Sequence, residues 1–102
     1  MPRMTLVRYA TKPEHADEND ALSRAVYDEL RAAAPPHIAY ATFRNGADFV
    51  HVLINSKTDS ADAVIELPSF KTYLKDIGAR CAAPPETVRV DFELIGAYGL
   101  EA

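Results

Sequence analysis

IAYATFRNGADFVHVLIN, residues 38–55, contains two apolar runs separated by Asn45-Gly46. Both residues of this pair tolerate a positive φ, which a tight turn between antiparallel strands requires. The stretch therefore predicts a β-hairpin with strands over residues 38–44 and 49–55. A two-residue loop would set Tyr40 opposite His51, and a four-residue loop would set Thr42 there, so two registers stay open at this point.

Helical periodicity precedes the hairpin. Leu22, Val26 and Leu30 recur every four residues and would form one apolar stripe. Asp17 is placed to cap this helix, and acidic residues in the first turn suit the positive end of the helix dipole. Pro35-Pro36 ends the helix, because a residue that precedes proline avoids the α region.

A second helical pattern follows the hairpin. Pro68 suits the first position of a helix, and Pro84-Pro85 stops it. The apolar positions between these prolines have helical spacing: Phe70, Tyr73, Leu74, Ile77 and Cys81. We expect Cys81 to be a buried packing residue rather than a nucleophile, since it falls on this stripe.

One further strand is predicted at each end of the chain, over residues 4–10 and 87–95, which gives the order βαββαβ. The two halves resemble each other, because RAAAPP at residues 31–36 matches RCAAPP at residues 80–85. We therefore predict a single α+β domain over residues 1–102. Its fold would be ferredoxin-like, a four-stranded antiparallel sheet with two helices on one face.

Alternation along the strands divides the sheet residues into two faces. A largely aliphatic set is expected under the helices: Val7, Tyr9, Ala39, Ala41, Phe43, Val50, Val52, Ile54, Val88, Val90 and Phe92. The opposite face would carry a more polar set: Arg8, Tyr40, Thr42, Arg44, His51, Asn55, Arg89, Asp91 and Glu93. The buried core is expected to contain Val7, Leu22, Val26, Leu30, Val52, Phe70, Leu74, Ile77, Val90 and Phe92.

His51 is the first candidate for catalysis, because a histidine titrates near neutral pH and can act as a general base. Tyr40 shares its face and is the second catalytic candidate. Four more residues of that face are expected to bind substrate: Arg8, Thr42, Arg89 and Asp91. Two other interpretations stay open. His51 could be a polar residue of a solvated or subunit-facing surface, and the charged residues could form cross-strand ion pairs.

Composition argues against several kinds of partner. The net charge is -4, the isoelectric point is about 5.2, and no run of Lys or Arg forms a basic stripe, which argues against nucleic acid and anionic membranes. No apolar stretch reaches the roughly 20 residues of a membrane span. The three histidines are scattered and no phosphate-binding glycine loop is present, so we expect neither a metal nor another cofactor. A single cysteine excludes an internal disulfide and suits the reducing cytoplasm.

Three segments are informative beyond their secondary structure: Phe49-Val50-His51-Val52, Leu67-Pro68-Ser69-Phe70 and Ile95-Gly96-Ala97-Tyr98. With the βαββαβ order and the acidic start of the first helix, they resemble the dimeric α+β barrels of the antibiotic-biosynthesis-monooxygenase-like superfamily. The resemblance implies a homodimer in which two sheets face each other and the C-terminal strand packs across the partner. That superfamily includes cofactor-independent oxygenases and haem-degrading enzymes. This chain departs from the haem-degrading branch, because it has no tryptophan.

Two functions remain open. The resemblance implies a small cofactor-independent monooxygenase-like enzyme that acts on a hydrophobic aromatic substrate. The alternative is a non-enzymatic dimeric module that binds a small ligand, or a stress-related module. A homodimer is expected in both cases, because the face of His51 also holds Leu6, Phe49 and Leu53 and an apolar segment follows at residues 95–100. Phe49, Leu53 and Tyr98 would contact the partner.

Overall fold

A computed structural model describes residues 3–55, 62–91, 93, 95, 96 and 98 of the chain. Within these residues one turn of 3-10 helix, Pro13–His15, precedes the first α-helix. The elements are, in chain order, β1 Arg3–Ala10, α1 Ala16–Ala33, β2 Ile38–Asn45, β3 Asp48–Asn55, α2 Asp62–Ile65, α3 Pro68–Leu74, α4 Ile77–Arg80 and β4 Glu86–Asp91. Of the helices described, none has the length and apolar character that crossing a membrane requires.

The four strands form one antiparallel sheet in the order β2-β3-β1-β4. The first strand therefore lies between the third and the fourth, as it does in a ferredoxin-like sheet. This arrangement confirms the predicted α+β class and the four-stranded antiparallel sheet.

The hairpin between β2 and β3 turns through Gly46 and Ala47, because Asn45 pairs with Asp48. Gly46 has a φ of 61°, which glycine adopts at little steric cost. The same register sets Thr42 directly opposite His51 and Tyr40 opposite Leu53. Of the two registers that the sequence left open, the structure has the one that pairs Thr42 with His51. It does so through a two-residue loop rather than the four-residue loop expected for that register, so the loop length predicted for it was wrong.

The first helix begins at Ala16 rather than after Asp17. His15 occupies the N-cap position without a side-chain cap hydrogen bond, so the prediction that Asp17 caps the helix is wrong. The 3-10 turn that Pro13 starts leads directly into the helix, which places Asp17 in the first turn. There its carboxylate forms an ion pair with Arg44 of β2 at 2.9 Å.

The helix predicted from Pro68 onward is two short helices, α3 and α4, rather than one continuous helix, and the short α2 precedes them. Lys75 is extended and Asp76 has a left-handed φ of 62°, which interrupts the helix between α3 and α4. Within α3 Tyr73 is buried, whereas Leu74 is 44% exposed, so its prediction as a core residue is wrong. Cys81 is buried as expected, and it pairs with Thr11 in an isolated β-bridge.

The helices cover the opposite face of β2, β3 and β4 from the one predicted, whereas the covered face of β1 is the predicted one. Register places Val7 opposite His51 and Tyr9 opposite Phe49, so these residues share one face. This face, hereafter the covered face, packs against the helices and contains Tyr9, Phe49 and Tyr40. The other face, hereafter the bare face, carries Met4, Leu6, Arg8, Ala39, Ala41, Phe43, Val50, Val52, Ile54 and Val88.

The wrong prediction of the helix-covered face has a physical reason. Tyrosine and histidine bury large rings while their polar atoms hydrogen-bond to each other, so a face rich in them can be a core face. The prediction correctly placed seven residues together on one face: Tyr40, Thr42, Arg44, His51, Asn55, Arg89 and Asp91. The prediction was wrong to put Val7 and Tyr9 on the other face from these residues, and wrong to put Arg8 on the same face.

The core lies between the covered face and the helices. Five of its residues are buried, namely Tyr9, Val26, Phe49, Tyr73 and Cys81. Predicted core residues that pack against them are Val7, Leu22, Leu30, Phe70 and Ile77. Val52 lies on the bare face instead, while Phe92 and the side chain of Val90 lie outside the described part of the chain. Phe49 and Leu53, predicted as dimer contacts, lie on the covered face.

Candidate functional site

A cleft of about 480 Å³ lies between the covered face and the segment that contains α2, α3 and α4. Its walls are mainly apolar and include Val7, Leu53, Val64, Phe70 and Ile77. Three rows of residues cross the sheet beneath it. We call them the His51 row (Thr42, His51, Val7, Thr87), the Leu53 row (Tyr40, Leu53, Thr5, Arg89) and the Asn55 row (Ile38, Asn55, Arg3, Asp91).

Four hydroxyl groups surround the imidazole of His51. Its Nδ1 lies 3.0 Å from the Tyr40 hydroxyl and 3.0 Å from Thr42 Oγ1. Its Nε2 lies 2.8 Å from the Tyr9 hydroxyl and 3.1 Å from the Tyr73 hydroxyl. In a neutral ring one nitrogen donates and the other accepts, and hydroxyl groups can serve either role. Both sides of the ring are therefore satisfied while it is neutral.

A second layer of polar side chains holds these hydroxyls in place. Asn19 of α1 donates from Nδ2 to the Tyr9 hydroxyl at 2.8 Å, and the Tyr9 and Tyr73 hydroxyls are hydrogen-bonded to each other. Arg80 of α4 donates from Nε to Asn19 Oδ1 at 3.1 Å and lies over the ring of Tyr73, 5.5 Å from its centroid. Three helices and three strands thus meet in one network, which fixes the orientation of His51.

Burial controls the protonation of the site. Desolvation lowers the pKa of His51 to about 4, so the ring is neutral at neutral pH. Burial likewise raises the pKa of Tyr40, Tyr73 and Tyr9 above the ordinary value of a tyrosine. All three phenols therefore keep their protons near pH 7 and can donate hydrogen bonds.

The other end of the cleft carries the charged groups. Arg3 donates from Nε to Asp91 Oδ1 at 2.9 Å, and both residues belong to the Asn55 row. Arg89 lines the cleft and is exposed, and it forms no ion pair with any residue that the structure describes. The cleft thus has a neutral, hydroxyl-rich end and a cationic end, separated by apolar walls.

The structure brings together three of the residues that the sequence singled out. His51, Tyr40 and Thr42 are in hydrogen-bonding contact. Arg89 lines the same cleft, whereas Asp91 is paired with Arg3. Arg8 is exposed on the bare face and lies apart from the cleft, so its placement beside His51 is wrong.

Sequence reasoning missed four members of the network: Tyr9, Asn19, Tyr73 and Arg80. Tyr9 was predicted under the helices and Tyr73 on the apolar stripe, and both are buried. Their hydroxyls offered a signal because buried tyrosines need hydrogen-bond partners. Asn19 and Arg80 lie on helices, where a polar residue ordinarily faces solvent. Their spacing nevertheless carries a signal, because Asn19 lies three residues before Leu22 and Arg80 three residues after Ile77, so each continues an apolar stripe. Within the described chain, no group of three or more His, Cys, Asp or Glu side chains could hold a metal ion.

Comparison with known proteins gives structural matches only. No protein-family model matches the chain, and the search of curated proteins gives no match. The fold is similar to that of Rv0793 from Mycobacterium tuberculosis, with a TM-score of 0.78 at 16% identity, over 94% of this chain and 100% of that one. It is also similar to an antibiotic biosynthesis monooxygenase, with a TM-score of 0.74 at 20% identity, over 90% of this chain and 99% of that one.

A third similar structure is NE2512, a protein of unknown function from Nitrosomonas europaea. Its TM-score is 0.76 at 16% identity, and the match covers 99% of this chain and 95% of that one. At such identities the likeness establishes the fold. It confirms the fold that the sequence resemblance implied, and activity has to be argued from the site itself.

Proposed function

We propose, from the fold that this chain shares with an antibiotic biosynthesis monooxygenase, that it is a small cofactor-independent monooxygenase-like enzyme acting on a hydrophobic aromatic substrate. One observation carries the proposal. A neutral imidazole and two protonated phenols, those of Tyr40 and Tyr73, line an apolar cleft. Such a cleft suits a flat apolar molecule that presents a hydroxyl or carbonyl oxygen to His51.

The substrate in this chemistry is its own reductant. An activated methylene group of the aromatic compound loses a proton, and the resulting carbanion reduces molecular oxygen. One oxygen atom stays on the carbon as a carbonyl, and the other leaves as water with the two hydrogens of the methylene group. One methylene compound and one dioxygen molecule therefore give one ketone and one water. His51 is the base in this scheme, and the Tyr40 and Tyr73 hydroxyls donate to the oxygen on which the carbanion's charge is delocalised.

Arg89 would contribute at the other end of the cleft. Its exposed guanidinium can attract a substrate that carries an anionic group or ionises on binding. Thr42 holds His51 Nδ1, so its role is to position the ring rather than to contact substrate. Asp91 neutralises Arg3 and leaves Arg89 as the free cation of this part of the described cleft.

A second candidate function is ligand binding without chemistry. The pKa of about 4 makes His51 a weak base at neutral pH, and both of its nitrogens already contact hydroxyl groups. A site with these properties suits recognition of a neutral ligand as well as proton transfer. The two functions differ in whether molecular oxygen is consumed.

Oxygen uptake with anthrone, an aromatic ketone with an activated methylene group, distinguishes the candidates. The enzyme is expected to consume one dioxygen molecule per anthrone, and His51→Gln should lower that rate about 100-fold or more while binding persists. Arg31→Ala, at an exposed position in the last turn of α1, is the matched control and should leave the rate unchanged. Binding of anthrone without oxygen uptake above the buffer rate would favour the ligand-binding module. Absence of binding would contradict both functions.

We further propose that the chain functions as a homodimer joined through the bare face. That face carries a patch of aliphatic and aromatic side chains, among them Met4, Leu6, Val50, Val52 and Ile54. Phe43 is 63% exposed and Val88 is 45% exposed on this surface. An apolar sheet face of this kind is a liability for a monomer, and a second copy of the same face would cover it by two-fold symmetry.

A further inference from the structure

Asn55 is a buried polar side chain without a hydrogen-bond partner. It is 1% exposed, and neither its amide nitrogen nor its amide oxygen is hydrogen-bonded to any described group. Buried amides in folded proteins are nearly always paired, because an unpaired one gives up its hydration without compensation. In contrast, the buried side chains of the His51 network are hydrogen-bonded. Asn55 therefore stands out as a group that lacks its partner.

The position of Asn55 connects it to the cleft. It lines the same cleft as His51, on the same face of β3, four residues further along the strand. Four strand residues correspond to about 13 Å. Leu53 lies between them and supplies an apolar surface. A ligand in the cleft can thus meet polar groups at two separated places, with an apolar body between them.

We propose that Asn55 is a specificity-determining residue that binds a ligand group carrying a hydrogen-bond donor beside an acceptor. A carboxamide, a lactam or a hydroxyl next to a carbonyl has this pattern, since the amide of Asn55 offers one acceptor and two donors. This inference rests on the proposed function, because it assumes an aromatic ligand with its first oxygen at His51. The inference gives that ligand a second polar end, which would lie beside the Asn55 row.

Discrimination follows from the missing partner. A ligand with the matching group completes the hydrogen bonds of Asn55, whereas a ligand without it leaves the amide unpaired. Sites built to pair with a polar group reject analogues that lack it far more strongly than apolar pockets reject a missing methylene. The Asn55 end would thus select among aromatic compounds that all satisfy the His51 end.

Two naphthalene probes test the inference by fluorescence titration. One is 2-naphthol, which has a polar group at one end, and the other is 6-hydroxy-2-naphthamide, which adds a carboxamide at the far end. The wild-type protein is expected to bind the naphthamide about tenfold or more tightly than 2-naphthol. Asn55→Leu should reduce this ratio to about one while the Kd of 2-naphthol stays the same. His51→Gln should weaken both probes and keep the ratio.

Thermal unfolding of the same variants separates recognition from a structural role. Asn55→Leu replaces an unpaired buried amide with an apolar residue of similar size, so its Tm should equal or exceed that of the wild-type protein. Asn55→Ala provides a smaller variant in which the same loss of the ratio is expected.

A naphthamide preference that survives both substitutions would overturn the role of Asn55 while leaving the proposed function intact. Equal Kd values of the wild-type protein for the naphthamide and for 2-naphthol would also overturn the role of Asn55 and leave the proposed function intact. Failure of both probes to bind the wild-type protein at millimolar concentration would overturn the proposed function together with this inference.

Discussion

The hydrogen-bond partners of His51 among the described residues are all hydroxyl groups, and none of them can neutralise a positive ring. Protonation would therefore leave a buried charge without a counter-ion, which is why burial lowers the pKa to about 4. An unfolded chain has no such constraint, and its histidines titrate near pH 6.5. Folding and proton binding at this residue thus oppose each other.

The expected consequence is a loss of stability in mild acid. Between about pH 6.5 and pH 4 the unfolded chain binds a proton at His51 that the folded chain does not. The stabilisation is fully present above about pH 6.5 and is lost as the pH falls to about 4, by up to about 3 kcal/mol. Urea unfolding at pH 7.5, 5.5 and 4.5 measures this loss. The unfolding free energy of the wild-type protein should fall more than that of His51→Gln. Equal losses in the two proteins would contradict the role of His51 in this acid sensitivity.

The surroundings of His51 were only partly predictable for a reason that also belongs to single residues. Tyr40 and Thr42 lie within one hairpin of His51, so strand alternation alone puts them on its face. Tyr73 and Asn19 come from helices far away in the sequence, and their contacts depend on how those helices dock. Periodicity shows which side of a helix is buried but does not pair polar atoms across elements.

At the scale of elements, the strands were found by their patterns while the helix-covered side was not. Alternation grouped the residues of β2, β3 and β4 correctly, since the side-chain period of a strand is two. The choice of the covered side assumed that the more aliphatic face packs against the helices. Here the aliphatic face is bare and aromatic residues with polar ends fill the core, so hydrophobicity alone led to the wrong choice.

The exposure of Leu74 gives a stability prediction for α3. The apolar spacing predicts Leu74 in the core, whereas the structure leaves it 44% exposed. Leu74→Ala should then cost less than about 1 kcal/mol of unfolding free energy. Phe49→Ala is the matched control, because Phe49 is 1% exposed and stacks on Tyr9, and it should cost about 3–5 kcal/mol. Urea denaturation of both variants measures the difference, and a similar cost for the two would show that Leu74 is a core residue.

For the whole molecule, the bare face predicts association. Sedimentation at micromolar concentration should give a mass twice the 11.2 kDa of one chain. Val52→Lys places a charge in the bare face and should shift the mass to that of one chain. Ala25→Lys adds the same charge on the exposed side of α1 and should leave the dimer intact. A wild-type mass of 11.2 kDa would contradict the dimer.

The alternation of β3 also has a consequence for protein engineering. Its odd-numbered residues 49, 51, 53 and 55 belong to the covered face, and its even-numbered residues 50, 52 and 54 belong to the bare face. A mutant library restricted to odd codons from 51 to 55 would remodel the pocket and leave the bare face chemically unchanged. A library restricted to the even codons would do the reverse. Ligand preference and self-association are thus interleaved along one strand, yet each can be altered by mutation without altering the other.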